Sequence, residues 1–204
     1  ASDVYKRQVN VWRLSNTGIS DLEGIEHFTE LTFLLCDRNN LTSLDLTSNT
    51  KLESLDVSYN QLTDIDVSSN SELEQLQCGA NTLTSLDVSG CPKLKRLYCT
   101  ENQLTAIDIS ANTKLEDLTL SYNQLTELDV SHNPLLHQLA CDENPLTELD
   151  VSTNKELERL ICGETMLTSL DVSNNPKLEW LYCQNNVYTI EVLDGQVFLS
   201  LIHI

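Results

Sequence analysis

LTSLDVSGCPKLKRLYCTENQ (83–103) is followed at once by LTAIDISANTKLEDLTLSYNQ (104–124), and the two stretches match position for position. Working outward, leucine recurs at Leu41, Leu62, Leu83, Leu104, Leu125, Leu146 and Leu167, always 21 residues apart. A fixed period of this length marks a repeat architecture. Each unit divides into two similar halves, LTxLDVSxN and then LxxLxCxxN or LxxLxLxxN. In each half the second and third apolar positions alternate with polar ones, as in a short strand with one buried face. Strands this short cannot stand alone. Stacked at about 4.8 Å per turn, they form parallel sheets along a solenoid, each turn covering its neighbour's apolar edge. Pro92, Pro134 and Pro176 share the position just after the first half, where the chain turns a corner and no ladder donor is needed.

The motif LxxLxLxxNxL runs through the chain as LESLDVSYNQL (52–62), LEQLQCGANTL (73–83), LKRLYCTENQL (94–104), LEDLTLSYNQL (115–125) and LHQLACDENPL (136–146). LTFLLCDRNNL (31–41) also fits. LERLICGETML (157–167) departs by placing Thr165 where Asn belongs, and LEWLYCQNNVY (178–188) by ending on Tyr188. In this the sequence resembles the leucine-rich repeat family. The irregular opening unit, VNVWRLSNTGISDLEGIEHFTE (9–30), resembles the 22-residue units of bacterial internalin-type proteins. The doubled 21-residue units resemble the nested class of bacterial leucine-rich repeats. The resemblance spans Val9 to Val192. It implies a right-handed solenoid of about nine turns, in the α/β superhelix class but mostly β. A parallel sheet would line its concave face, with short extended or 3-10 segments on the convex one. It also implies a secreted or cell-surface bacterial protein.

The chain of 204 residues carries 31 acidic and 12 basic side chains, a formal net charge of −19. Such an excess of acid argues against nucleic acid as a partner, because phosphate attracts clustered Lys and Arg. No apolar run reaches the roughly 18 residues of a transmembrane helix, so this stretch predicts no membrane insertion. Three histidines fall within the repeats, His27, His132 and His137, and none stands in a nucleophile–base motif. There is no phosphate-binding glycine loop and no HExxH. Apparent acid pairs recur in every turn and single out no site. The sequence therefore predicts no catalytic residue, no metal ligand set and no cofactor.

Several side-chain columns follow from the period. Asn60, Asn81, Asn102, Asn123, Asn144 and Asn186 share one position, where an amide can bond backbone groups left unpaired by the turning chain. Asn49, Asn70, Asn112, Asn133, Asn154 and Asn175 form a second series, interrupted by Cys91. Cys36, Cys78, Cys99, Cys141, Cys162 and Cys183 share the third apolar position with Val57 and Leu120. Exchange with Val and Leu marks a small apolar site, so these read as buried free thiols. Cys91, at a corner, reads as the most reactive thiol. Asp45, Asp66, Asp87, Asp108, Asp129, Asp150 and Asp171 form a carboxylate column. It reads either as a row of cation sites or as side chain to backbone bonding at the corners.

The outward residues of the second-half strands tile one face, and they vary from turn to turn while the core columns do not. A third varied column includes Tyr59 and Tyr122. Candidate ligand contacts are Phe33, Tyr59, Arg96, Tyr98, Tyr122, Arg159, Ile161, Trp180 and Tyr182, because aromatic and Arg side chains dominate interface hot spots. Tyr98 with Arg96, and Ile161 with Arg159, Trp180 and Tyr182, form two anchor clusters. The reading is a non-catalytic module that binds a protein or, as the alternative, a glycan. A rigid spacer, or the targeting arm of an enzyme whose catalytic domain lies elsewhere, are the other readings.

The two ends do not follow the period. DVYKRQ (3–8) can be encoded by a DNA segment whose reverse complement translates as LSLIHI (199–204). The pair resembles a transposon end used as a sequencing adapter. Residues 1–8 and 199–204 are therefore expected to be adapter-derived. The single native domain is then 9–198, a metagenomic piece of a longer gene.

Overall fold

The computed structural model describes residues 9–186. The two adapter-like ends, and 187–198 between the last described turn and the second of them, lie outside the described residues. Nine strands of three residues each follow in order: β1 (Val11–Arg13), β2 (Phe33–Leu35), β3 (Ser54–Asp56), β4 (Gln75–Gln77), β5 (Arg96–Tyr98), β6 (Asp117–Thr119), β7 (Gln138–Ala140), β8 (Arg159–Ile161) and β9 (Trp180–Tyr182). They form one parallel sheet in chain order. Registry is strict: Leu76 pairs with Leu97, Leu97 with Leu118 and Leu118 with Leu139. Nine strands enclose eight complete turns, and the fold is a leucine-rich repeat solenoid, mostly β. A 3-10 turn at Ile25–His27 in the irregular first unit is the one helical element among the described residues.

The core is built from the same positions in every turn. In the unit from 83 to 103, Leu83, Leu86, Val88, Leu94, Leu97 and Cys99 are all buried, five of the six with no exposure and Leu86 at 7%. Burying one such Leu contributes about 1.5–3 kcal/mol relative to leaving it in water. The corner after each first half is closed by two successive turn bonds, as from the Cys91 N–H to the Val88 carbonyl (3.0 Å) and from the Leu94 N–H to the Cys91 carbonyl (3.1 Å).

The expectation of strands in both halves is corrected. Only the second halves pair as strands. The first halves run extended without a ladder, since their backbone groups are taken by side chains. The Leu83 N–H goes to Asn102 Oδ1 (3.0 Å) and the Ser89 N–H to Asp87 Oδ1 (2.9 Å). A lone backbone bond, Gln103 N–H to the Leu83 carbonyl (2.9 Å), joins that half to the next turn. The result is one sheet, backed by irregular extended chain.

Candidate ligand face

Strands β2 to β8 each bury a central leucine and turn their first and third residues outward; Trp12 of β1 and Leu181 of β9 hold the same position half-buried. The first positions place Phe33, Arg96, Arg159 and Trp180 in one row, and the third positions place Tyr98, Ile161 and Tyr182 in the next. Phe33 and Trp180 are exposed, at 40% and 57%, while Arg96, Tyr98, Ile161 and Tyr182 are half-buried against their row neighbours. The sheet brings Arg159 and Trp180 together, with the guanidinium 5.3 Å from the indole centroid. Arg96 and Tyr98 each turn to another turn of the solenoid. Arg96 Nε donates to Gln75 Oε1 (2.9 Å), and the Tyr98 hydroxyl donates to Asp117 Oδ2 (3.4 Å). Burial, then the Asp117 charge, raises the Tyr98 phenol above its ordinary value.

Tyr182 is seated by a residue that the motif did not flag. A Cβ on Gly163 would stand 2.4 Å from the Tyr182 ring. Only glycine leaves that space, so the ring packs directly against the neighbouring turn at Gly163. Gly163 is detectable in the sequence only once register is known, because it meets Tyr182 across turns.

The third column is corrected: it does not belong to the strands. Arg38, Tyr59, Ala80, Glu101, Tyr122, Glu143, Glu164 and Asn185 sit in the turn after each strand, all with φ between 52° and 58°. This left-handed region is uncommon for side chains other than Asn and Gly. The column borders the sheet face rather than forming it. The Arg38 guanidinium covers the Tyr59 ring at 4.3 Å, while Tyr122 stands about half exposed.

Charge is segregated across the molecule. The four arginines among the described residues, Arg13, Arg38, Arg96 and Arg159, all lie on the sheet face or its bordering turn. Lysines stand off it. Lys51, Lys93, Lys95 and Lys177 each pair with a glutamate one turn earlier.

The first asparagine series bonds at both ends of its amide. Asn102 Nδ2 donates to the carbonyls of Cys78 (3.1 Å) and Cys99 (3.3 Å), while its Oδ1 takes the Leu83 N–H. Asn60, Asn81, Asn123, Asn144 and Asn186 repeat this pattern. Asn39, the motif asparagine of LTFLLCDRNNL (31–41), belongs to the same series, although the column named from the sequence began at Asn60. It reaches into the irregular unit, donating to the Leu14 carbonyl and accepting from Thr17 and Ile19. Its signal is plain in retrospect, standing 21 residues before Asn60.

The description "Leucine Rich repeat" matches residues 48–69. A 35-residue stretch is 54% identical to Internalin J of Listeria monocytogenes, covering 17% of this chain and 4% of that protein. The solved functional domain of that protein superposes with a TM-score of 0.91 at 38% identity, covering 94% of this chain and 47% of that one. A leucine-rich repeat protein of Leptospira interrogans superposes at 0.75 with 28% identity, over 79% of this chain and 45% of that one. The Yersinia pestis effector YopM superposes at 0.76 with 28% identity, over 92% and 53%. The chain is an internalin-like leucine-rich repeat protein. It spans about half the length of the solved relatives it matches. Among the described residues no helix is long and apolar enough to cross a membrane.

The Listeria domain includes a cysteine ladder. In the present internalin-like chain, Cys36, Cys78, Cys99, Cys141 and Cys162 are buried free thiols, and Cys183 is half-buried. Cys78 and Cys99 stand 3.2 Å apart, sulfur to sulfur. Burial first, then nearby carboxylates, pushes the Cys36 thiol up to about 12. The expectation for Cys91 is corrected. Its side chain fills the slot of the second asparagine series, fully buried, with Sγ 3.5 Å from the Val67 carbonyl. Burial raises the thiol to about 11, which removes the thiolate that reactivity requires.

The aspartate column caps its own corners. In all seven turns the carboxylate Oδ1 accepts the N–H two residues on, from Thr47 in the first to Ser173 in the last. These bonds hold the seven carboxyls below the ordinary value of 3.8.

Proposed function

We propose that this chain is the non-catalytic protein-binding part of a secreted or surface-exposed bacterial protein, acting in adhesion or recognition through its sheet face. The contrast between rows carries the reading. The central strand position is leucine from β2 to β9, while the flanking rows change chemistry at nearly every turn. A core needs sameness to stack. A surface that is varied along one molecule suits an asymmetric partner. The face and its border carry the four arginines of the described residues, and β8 and β9 present Arg159, Trp180 and Tyr182, residue types that anchor interfaces, with Ile161 beside them.

A photo-crosslinking amino acid at position 180 tests it, with position 110 on the opposite, exposed surface as the control. Discrete adducts with cell-surface proteins are expected from position 180 alone, and they should disappear on Ile161→Ala/Tyr182→Ala replacement. Equal labelling from both positions, or none from 180, would leave the solenoid as a spacer.

A further inference from the structure

Tyr59 and Tyr122 occupy the same repeat position, both in the left-handed turn after a strand and exposed to 49% and 50%. Their neighbours differ. The ring of Tyr59 is covered by the guanidinium of Arg38 from the preceding turn, at 4.3 Å. Asp37 stands beside that guanidinium, 3.8 Å from Arg38 Nε. Ring, carboxylate and arginine thus already form a three-part contact in this column. At Tyr122 the ring and the acids are present, but the preceding turn supplies Glu101 in place of an arginine.

The acids crowd this second ring. Glu143 is the largest influence raising the Tyr122 phenol, followed by burial, Asp142, Glu164 and Glu101. Glu143 and Glu164 lie close enough to share a hydrogen bond, and that bond, ahead of burial and the Glu164 and Asp142 charges, lifts the Glu143 carboxyl. Carboxylates in contact repel, and a cation set among them removes the repulsion. Among the described residues no lysine or arginine pairs with Glu101, Glu143 or Glu164. The chain as a whole carries −19, a field that draws a basic partner toward it.

We infer that the Tyr122 border of the sheet face, with Glu101, Glu143 and Glu164, seats an arginine side chain from a cationic protein segment lying along that face. The inference rests on the protein-binding reading above and adds the chemistry of the partner. The guanidinium would stack on the phenol ring as Arg38 does on Tyr59 and bond the carboxylates of the following turns. Arginine suits this better than lysine, because its planar, weakly hydrated head stacks and bonds at once.

The test uses the full chain labelled with fluorotyrosine and the peptide acetyl-(Gly-Arg)3-amide at low salt, read by fluorine NMR. The same peptide with citrulline for arginine is the neutral control. Tyr122→Asn assigns the Tyr122 signal without disturbing the left-handed turn, which Asn adopts readily. The Tyr122 signal should shift with the arginine peptide and stay still with citrulline. Tyr59 should be silent in the parent chain and respond in Arg38→Ala, where its ring is uncovered. Glu143→Gln with Glu164→Gln should weaken binding about five-fold or more, and unmoved signals from the other tyrosines would report an intact fold. A silent Tyr122, an equal response to citrulline, or unchanged affinity in the double variant would overturn the inference. Adducts at position 180 alongside a silent Tyr122 would leave the protein-binding reading standing and remove this one alone. A responsive Tyr122 with no adducts at 180 would keep the arginine seat and remove the Trp180 end from the binding surface.

Discussion

Two columns of asparagine run the length of the solenoid with the same spacing, and they are bonded differently. In the column of Asn102, the amide gives its N–H groups to carbonyls three and 24 residues back and takes an N–H from 19 residues back. In the column of Asn112, the N–H groups reach the carbonyls of Val88 and Cys91, both at 2.9 Å, but the oxygen has no protein partner. The same holds for the buried Oδ1 of Asn49, Asn70, Asn133, Asn154 and Asn175. The first position therefore needs a donor and an acceptor on one short side chain, which asparagine supplies. The second needs only a donor, and Cys91 meets that need with a thiol. Thr165 shows the strain on the first column. Its hydroxyl reaches the Cys162 carbonyl (3.2 Å), and the Leu146 N–H, deprived of an amide oxygen, turns to the Asn144 carbonyl (2.8 Å).

Four experiments break or sharpen that comparison. The largest effect belongs to the core that both columns enclose. Leu97→Ala should cost about 2–5 kcal/mol in a denaturant melt, from lost burial and the cavity left behind. A near-neutral result would contradict the stacked core itself. Asn102→Ala should come next, at about 1–3 kcal/mol, since it strands the Leu83 N–H and two buried carbonyls. Asn112→Cys, which copies position 91 into the next turn, should cost under about 1 kcal/mol, because a donor is all it must replace. Equal losses at 102 and 112 would erase the distinction between the columns.

The smallest effect is one of pH. The seven corner carboxyls titrate below 3.8, held down chiefly by hydrogen bonds from the Ser or Thr two residues on. A folded value below the unfolded one adds stability above the unfolded value, and that stability drains away as pH falls through the folded value. Asp56 runs the other way. Burial raises its carboxyl, so its protonation favours the folded state as pH falls. Melting temperature should decline from about pH 4 downward, and more steeply in Asp56→Asn. A melting temperature that climbs throughout this range would mean that the corner bonds contribute nothing.

The period made the sheet register and the two outward strand rows legible, because alternation with a fixed 21-residue step assigns each residue a neighbour. It did not show which halves pair. Both halves alternate alike, and the outcome turns on the Asn102 oxygen reaching back to the Leu83 N–H, a contact that no local pattern announces. The left-handed turns were hidden for a similar reason. Tyr59, Glu101 and Tyr122 carry no glycine or asparagine signal, and the stacked turn imposes their φ. Cys91 was misjudged because position at a corner says little about depth. Its membership of an otherwise asparagine column was the better guide. The partners of the face residues, Gln75 for Arg96, Asp117 for Tyr98 and Gly163 for Tyr182, lie across turns and emerge only once the turns are aligned.

Every amide bond in the two columns spans between two and 25 residues, so no turn is tied by them to anything beyond its immediate neighbour. Excising one whole period rejoins like to like, and inserting one does the same. A gene built this way can slip against itself during copying and still encode a sound fold, shorter or longer by one rung. Length then becomes a freely adjustable quantity, and so does the spacing between the anchors carried on different rungs.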